Sequence, residues 1–150
     1  MANWKDDLKN FFKEGDIDRA QEKRDEKLRS EVKKFYLKTV QPAFKKLKKE
    51  LERYGREVNV AVSDSLAAIE VEFEERLELK YQVKVRDIHP YLEIHYQDAL
   101  GNVIWSEGNF REGSQRIDIF GLSTDEIIQN FLKEFKARLW VLYKKRATDI

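Results

Sequence analysis

The spacing of apolar residues along this chain changes at Gly55. Before Gly55, apolar side chains recur every three or four residues, which is the period of an amphipathic helix. After it, apolar and polar residues alternate, which is the period of a half-buried strand. Helical periodicity followed by strand periodicity favours an α+β domain over alternating βαβ units. The pattern therefore predicts helices that cover one face of an antiparallel sheet.

The helical part of the sequence is expected to form two helices. Asn3 can cap a short amphipathic helix, and Gly15 is expected to end it because glycine adopts positive φ easily. Asp16 then caps a second, long helix whose first turns are almost entirely charged. Pro42 interrupts the apolar pattern, which predicts a kink or two abutting helices there. The apolar stripe of the long helix consists of Leu28, Val32, Phe35, Tyr36, Val40, Phe44, Leu47, Leu51 and Tyr54.

The second part of the sequence predicts a meander of five or six antiparallel strands. Apart from Glu75, the odd-numbered residues from 69 to 85 are apolar, so one face of this segment should be buried and the other exposed to water. Alternation leaves open whether the segment is a hairpin turning at Glu75–Arg76 or one long bent strand. The strands are expected to be separated by breaks at 63–65, 87–90, 98–102 and 108–113. The expected final strand is Gln115–Phe120.

The C-terminal helix begins at the sharpest local signal in the chain. Ser123-Thr124-Asp125-Glu126 has the form of a capping box, in which Ser123 and Glu126 each satisfy a free backbone N–H. The basic residues at 144–146 suit the negative end of the helix dipole. We expect one α+β domain over residues 28–150, preceded by a helical extension over residues 1–27.

Catalytic and metal-binding chemistry has little support in this sequence. Cysteine is absent, which excludes disulfides and thiolate sites, and the common nucleotide-binding and zinc-binding motifs do not occur. His95 shares a strand face with Glu93, but two candidate ligands on a polar sheet face make a poor metal site. His89 falls in a predicted turn. We therefore expect no enzyme activity, metal or cofactor, and a ligand or catalytic site in a sheet cavity is the third functional hypothesis.

Two other polar groups have a simpler structural explanation than a catalytic one. Glu70, Glu72 and Glu74 could supply a carboxylate pair, but a general acid needs a cleft that raises its pKa. Arg111 could hold an anion in its loop, but the glycine spacing matches no phosphate-binding motif. We expect an exposed strand face and a hairpin-like loop, respectively.

Charge is unevenly distributed along the chain. Residues 1–56 carry 17 basic and 11 acidic side chains, although the whole chain has a net charge of only +1. A row of basic residues spaced by four and seven lies opposite the apolar stripe of the long helix, and such a row can neutralise phosphates. Salt-dependent nucleic-acid binding is therefore the second functional hypothesis. Its candidate residues are Lys34, Lys38, Lys45, Lys49, Arg53 and Arg56.

The leading hypothesis is a non-catalytic protein-interaction or assembly module. The apolar stripe is longer than a small sheet is wide, so part of it needs another surface, and a second copy of the chain can supply one. We expect a homodimer formed through the long helix. The self-association candidates are Phe44, Leu47, Leu51 and Tyr54.

The short first helix carries Trp4, Leu8, Phe11 and Phe12 on one side. It is expected to dock on the chain's own core or on a partner, and a membrane surface is less favoured because its polar side mixes both signs of charge. No apolar run reaches the length of a membrane helix and no secretory signal is visible, so a cytoplasmic location is expected.

Overall fold

The computed structural model describes residues 3–111 and 117–148, apart from the side chains at 14, 16–18, 141 and 143–148. The described helices are α1 (Trp4–Phe35), α2 (Gln41–Arg53) and α3 (Thr124–Thr148), and a π-helical turn, Tyr36–Val40, separates α1 from α2. The described strands are β1 (Glu57–Val62), β2 (Ala67–Phe73), β3 (Arg76–Arg86), β4 (His89–Gln97) and β5 (Val103–Gly108). They form one antiparallel sheet in the order β1-β2-β3-β4-β5, so the predicted α+β meander is confirmed.

The helix α1 continues through Gly15, and the predicted break between Gly15 and Asp16 is wrong. A glycine inside a helix costs about 1 kcal/mol relative to alanine, which the good helix-forming residues after position 18 can offset. Asn3 is the cap that the sequence predicts, since its Oδ1 accepts a hydrogen bond from the Lys5 N–H at 3.2 Å. The backbone divides into two compact units, Met1–Glu31 and Val32–Ile150.

Pro42 lies in the first turn of α2, directly after the π-helical turn. Proline has no N–H and its ring clashes with the carbonyl four residues earlier, so regular α-helix cannot run through this position unchanged. The chain adapts with a wider turn, in which the Gln41 N–H bonds to the Tyr36 carbonyl five residues back. At the other end of α2, Gly55 has φ +79° and the Arg56 N–H bonds to the Leu51 carbonyl, which is the helix stop that the sequence predicts.

A two-residue turn, Glu74–Glu75, joins β2 to β3, so the segment is a hairpin and not one long strand. The turn lies one residue before the predicted position. Both glutamates have positive φ, 52° and 63°, which is a conformation that normally selects Asn-Gly. The sequence does not locate this turn exactly, because neither glutamate is a residue type that favours positive φ.

Exchanging the turn residues for favoured ones should stabilise the domain. Glu74→Asn/Glu75→Gly is expected to raise the free energy of unfolding by about 1–2 kcal/mol, because it relieves left-handed backbone strain. The measurement is the urea midpoint at constant m-value. Glu74→Ala/Glu75→Ala removes the same charges without relieving the strain and should give no comparable gain. An Asn-Gly variant no more stable than the Ala-Ala variant would contradict this explanation.

Tyr81, on the central strand β3, is the centre of the core. Phe44 of α2 and Phe131 of α3 both pack edge-on against its ring, with centroid distances of 6.0 and 5.3 Å. The Tyr81 hydroxyl donates to Asn130 Oδ1 at 2.6 Å, and burial raises the pKa of Tyr81 well above its ordinary value. Both helices therefore cover the same face of the sheet, as the alternation predicts.

The opposite face of the sheet was predicted to be exposed to water, but some of its polar residues are buried. A bulge opposite Val71 and Glu72 leaves Glu78 as an extra residue on β3, and its side chain is fully buried. Gln82 and Glu93 on this face are also buried. The face is polar, but it is exposed to water only in part.

The predicted sixth strand is not found in the part of Gln115–Phe120 that the structure describes. Residues 117–118 have no regular structure and residues 119–121 form a turn, in which the Ile119 N–H donates to the Ile88 carbonyl at 2.9 Å; residues 112–116 lie outside the described residues. Ser123 Oγ accepts from the Glu126 N–H at 3.1 Å, so the serine half of the capping box is confirmed. The basic side chains at 144–146 lie outside the described residues.

Candidate functional site

The predicted division of the helix α2 into an apolar and a basic side is found. Phe44 and Leu47 face the core, whereas Lys45 and Lys49 are exposed. Lys34 and Lys38 are also exposed, and Arg53 is exposed and bonds to Glu50 at 3.3 Å. Basic side chains therefore cover the outer side of the π-helical turn and of α2.

Arg56 does not belong to this basic side, because α2 ends at Arg53. Its Nε donates to Glu78 Oε1 at 2.9 Å, and a second guanidinium nitrogen donates to the Tyr54 carbonyl at 3.0 Å. The guanidinium also stacks on the Phe73 ring, 4.2 Å from its centroid. Arg56 is thus a structural partner of a buried carboxylate, which corrects its assignment as a phosphate ligand.

Three of the four self-association candidates lie in the chain's own core. Phe44, Leu47 and Leu51 are 0%, 5% and 8% exposed. Sheet and α3 cover them, so they cannot form an interface in this fold. Tyr54 is 70% exposed at the end of α2.

Large apolar side chains are exposed instead on the first three turns of α1. Trp4, Phe11 and Phe12 are 65–67% exposed and Leu8 is 46% exposed. At 100° per residue these four side chains lie within an arc of about 100°. Phe11 and Phe12 contact each other edge-on at 5.8 Å. Sequence reasoning found this side of the helix but did not choose it as the association surface.

Glu93 is a buried carboxylate on the polar sheet face with several polar neighbours. Its oxygens bind the Lys84 ammonium and the Trp105 indole N–H, and His95 Nε2 lies 3.7 Å away. The hydrogen bond from Lys84 is the main cause that lowers the pKa of Glu93, and the same bond raises the pKa of Lys84. These donors favour the ionised form of Glu93. The arrangement is an ion-pair cluster.

Removing Lys84 should change the titration of Glu93. In Lys84→Met we expect the pKa of Glu93 to rise, because its strongest partner is lost. A lowered folded-state pKa stabilises the protein above the unfolded-state pKa, and this stabilisation is lost as the pH falls through the folded-state value. The variant should therefore lose less stability than the wild type over that acid range. An NMR titration of the Glu93 carboxyl carbon checks this, and an unchanged midpoint would contradict it.

The other candidate residues are occupied by structural contacts. His89 Nδ1 lies 3.2 Å from the Ile117 carbonyl oxygen, and His89 precedes His95 by six positions on β4, about 20 Å along the strand. Glu70 pairs with Lys80 at 3.4 Å. The anion hypothesis for Arg111 finds no support, since its guanidinium binds the Glu126 carboxylate at 3.1 Å. Within residues 3–111 and 117–148, no group of three or more acidic or histidine side chains is arranged to hold a metal ion.

A groove of about 530 Å³ lies between α2 and the first strand of the sheet. One wall is formed by three side chains of α2, Gln41, Lys45 and Lys48. The other wall is the end of β1 with the turn that follows it. Sequence analysis missed this groove, although the first strand of a meander is necessarily an edge strand. The lining residues on the sheet side are Val60, Ala61, Val62, Ser63 and Leu66.

Comparison with known proteins finds a regional likeness to a much longer protein. The chain is 26% identical over 120 residues, 78% of its length, to a glycine betaine transporter of Acinetobacter baylyi. The match covers 18% of the transporter, so the chain spans less than a fifth of that relative's length. No protein-family model and no solved structure matches the chain. None of the described helices is both long enough and apolar enough to cross a bilayer.

Proposed function

We propose that this protein is a non-catalytic interaction module that self-associates through the N-terminal turns of α1. The observation that carries the proposal is the exposure of Trp4, Leu8, Phe11 and Phe12 on one side of a helix. Exposed apolar patches of this kind mark interaction sites. Aromatic side chains also supply much of the binding energy at protein interfaces.

The size of this surface suits a symmetric pair of helices. Its four side chains expose about 500 Å² per copy, given that an aromatic side chain has 150–250 Å² to bury. A two-fold pair would bury on the order of 1,000 Å², which is the lower limit for a specific interface. Lys5, Asp6, Asp7 and Lys9 give the segment both signs of charge, which favours another copy over an anionic membrane.

The comparison concerns a small part of a larger protein. Most of this chain resembles a small part of a longer protein, as expected for a domain that occurs in different molecular contexts. Transport itself is not proposed for this chain. The described side chains considered for catalysis or anion binding include Glu93 and Arg111, and both are engaged in ion pairs.

The test is sedimentation equilibrium of the full chain at micromolar concentration. The wild type is expected to form dimers, and Phe11→Ala/Phe12→Ala is expected to weaken dimerisation on the order of 100-fold, because two aromatic anchors are lost. Phe120→Ala is the matched control, since Phe120 is 67% exposed outside α1 and should not affect association. A monomeric wild type, or a double variant that dimerises as strongly as the wild type, would refute the proposal.

Nucleic-acid binding is the second candidate, favoured by the exposure of Lys34, Lys38, Lys45 and Lys49. Binding of a labelled duplex should then weaken steeply with salt. Lys38→Glu/Lys49→Glu should abolish it. No binding at low salt would exclude this function without affecting the first proposal.

A further inference from the structure

The outer edge of β1 carries backbone groups that no described strand satisfies. Among the described strands β1 pairs with β2 alone, and the hairpin between them closes with a hydrogen bond from the Ser63 N–H to the Leu66 carbonyl at 2.8 Å. Bonded and non-bonded pairs alternate along an antiparallel ladder. Because Ser63 is a bonded position, Ala61, two residues earlier, also bonds to β2. Val60 and Val62 are non-bonded positions, so their N–H and C=O groups point away from β2.

The groove beside α2 runs along this edge. Four consecutive residues, 60–63, line it. Side chains of consecutive strand residues point to opposite faces, so a cavity that reaches all four follows the edge and not one face. The segment is about 13 Å long, which is enough for four residues of an added strand.

The walls of the groove define the chemistry of its occupant. Val60, Val62 and Leu66 are apolar. Lys45 and Lys48 supply positive charge from α2, and Lys48 Nζ lies 3.8 Å from Oε1 of the exposed Glu52. Edge-to-edge pairing of two copies at β1 would bring these lysines towards those of the other copy, so charge disfavours that occupant.

We propose that this groove binds an extended acidic peptide of another protein, which adds to β1 as a sixth strand and places carboxylates next to Lys45 and Lys48. Strand addition between an edge strand and a helix obtains affinity from main-chain hydrogen bonds and specificity from the flanking side chains. The peptide site shares no residue with the α1 surface, so each proposal can fail without the other.

The experiment uses a fluorescein-labelled peptide of alternating valine and glutamate, measured by fluorescence anisotropy with the full chain. Saturable binding is expected, and Lys45→Glu/Lys48→Glu should weaken it roughly tenfold or more, because it places like charges together. Lys46→Glu is the matched control: Lys46 is exposed on α2 but does not line the groove, so the variant should bind as the wild type does. An amidated form of the peptide tells whether side-chain or C-terminal carboxylates are recognised.

Hydrogen exchange separates strand addition from simple charge attraction. Bound peptide should slow exchange of the Val60 and Val62 amides and leave Ala61 nearly unchanged, since Ala61 already bonds to β2. A peptide N-methylated at every residue should fail to bind, because it has no N–H left to donate to β1. Equal binding to the lysine variant, binding of the N-methylated peptide, or tighter binding of labelled single-stranded DNA to the same lysines would overturn the proposal.

Discussion

Replacing Arg56 with alanine is expected to lower the free energy of unfolding by about 3–5 kcal/mol, because it removes the guanidinium that binds a buried carboxylate. The Glu78 side chain is 0% exposed and that of Arg56 is 19% exposed. The same change removes the cation–π contact with Phe73 and the hydrogen bond to the Tyr54 carbonyl. Urea denaturation measures the loss.

Two further variants make this prediction specific. Arg53→Ala also removes an arginine that bonds to a glutamate, but that pair is 71% and 58% exposed and should contribute less than about 1 kcal/mol. Arg56→Met/Glu78→Leu should recover most of the stability, because a buried ion pair can often be replaced by apolar side chains. An Arg56→Ala variant as stable as Arg53→Ala would show that the buried pair contributes little.

Phe44→Ala should destabilise the domain by about 3–5 kcal/mol, because it leaves a cavity against Tyr81. This expectation follows from a side chain that is 0% exposed. The control is Phe120→Ala, which removes an exposed ring and should change stability by about 0.5 kcal/mol or less. Denaturation midpoints of the two variants give the comparison.

Phe44→Ala also tests whether Phe44 belongs to the core or to the self-association surface. At a temperature where Phe44→Ala is folded, sedimentation should find association unchanged, since Phe44 belongs to the core. A variant of full stability that no longer dimerises would instead return Phe44 to the self-association surface.

The sequence allows the class of the fold to be predicted because side-chain period depends on local geometry. The apolar residues that alternate around Tyr81 and those that recur every three or four positions around Phe44 are the ones on the buried faces. The helix stop at Gly55 is predictable for the same reason, since a positive φ there follows an apolar stripe. Gly15 also follows an apolar helical pattern, but it does not end the helix. A glycine alone does not tell whether the residues after it continue the helix.

Long-range partners could not be predicted from the pattern. Glu78 stands among exposed polar positions in the sequence, and only the bulge and the position of Arg56 bury it. The hairpin at Glu74–Glu75 forms because apolar residues on both sides pair in register, despite unfavourable turn residues. The sheet and α3 determine which part of a long apolar stripe is buried and which part is left exposed. The spacing of apolar residues in the sequence does not contain that information.

The central claim is that copies of the chain pair through the N-terminal turns of α1. Because the sequence contains no cysteine, Asn10→Cys introduces a single thiol for a spin label on the side of α1 opposite the four apolar residues. Pulsed electron paramagnetic resonance of the full chain at micromolar concentration should then give one narrow intermolecular distance. That distance should disappear with Phe11→Ala/Phe12→Ala. A labelled wild type without any intermolecular dipolar signal would contradict the account.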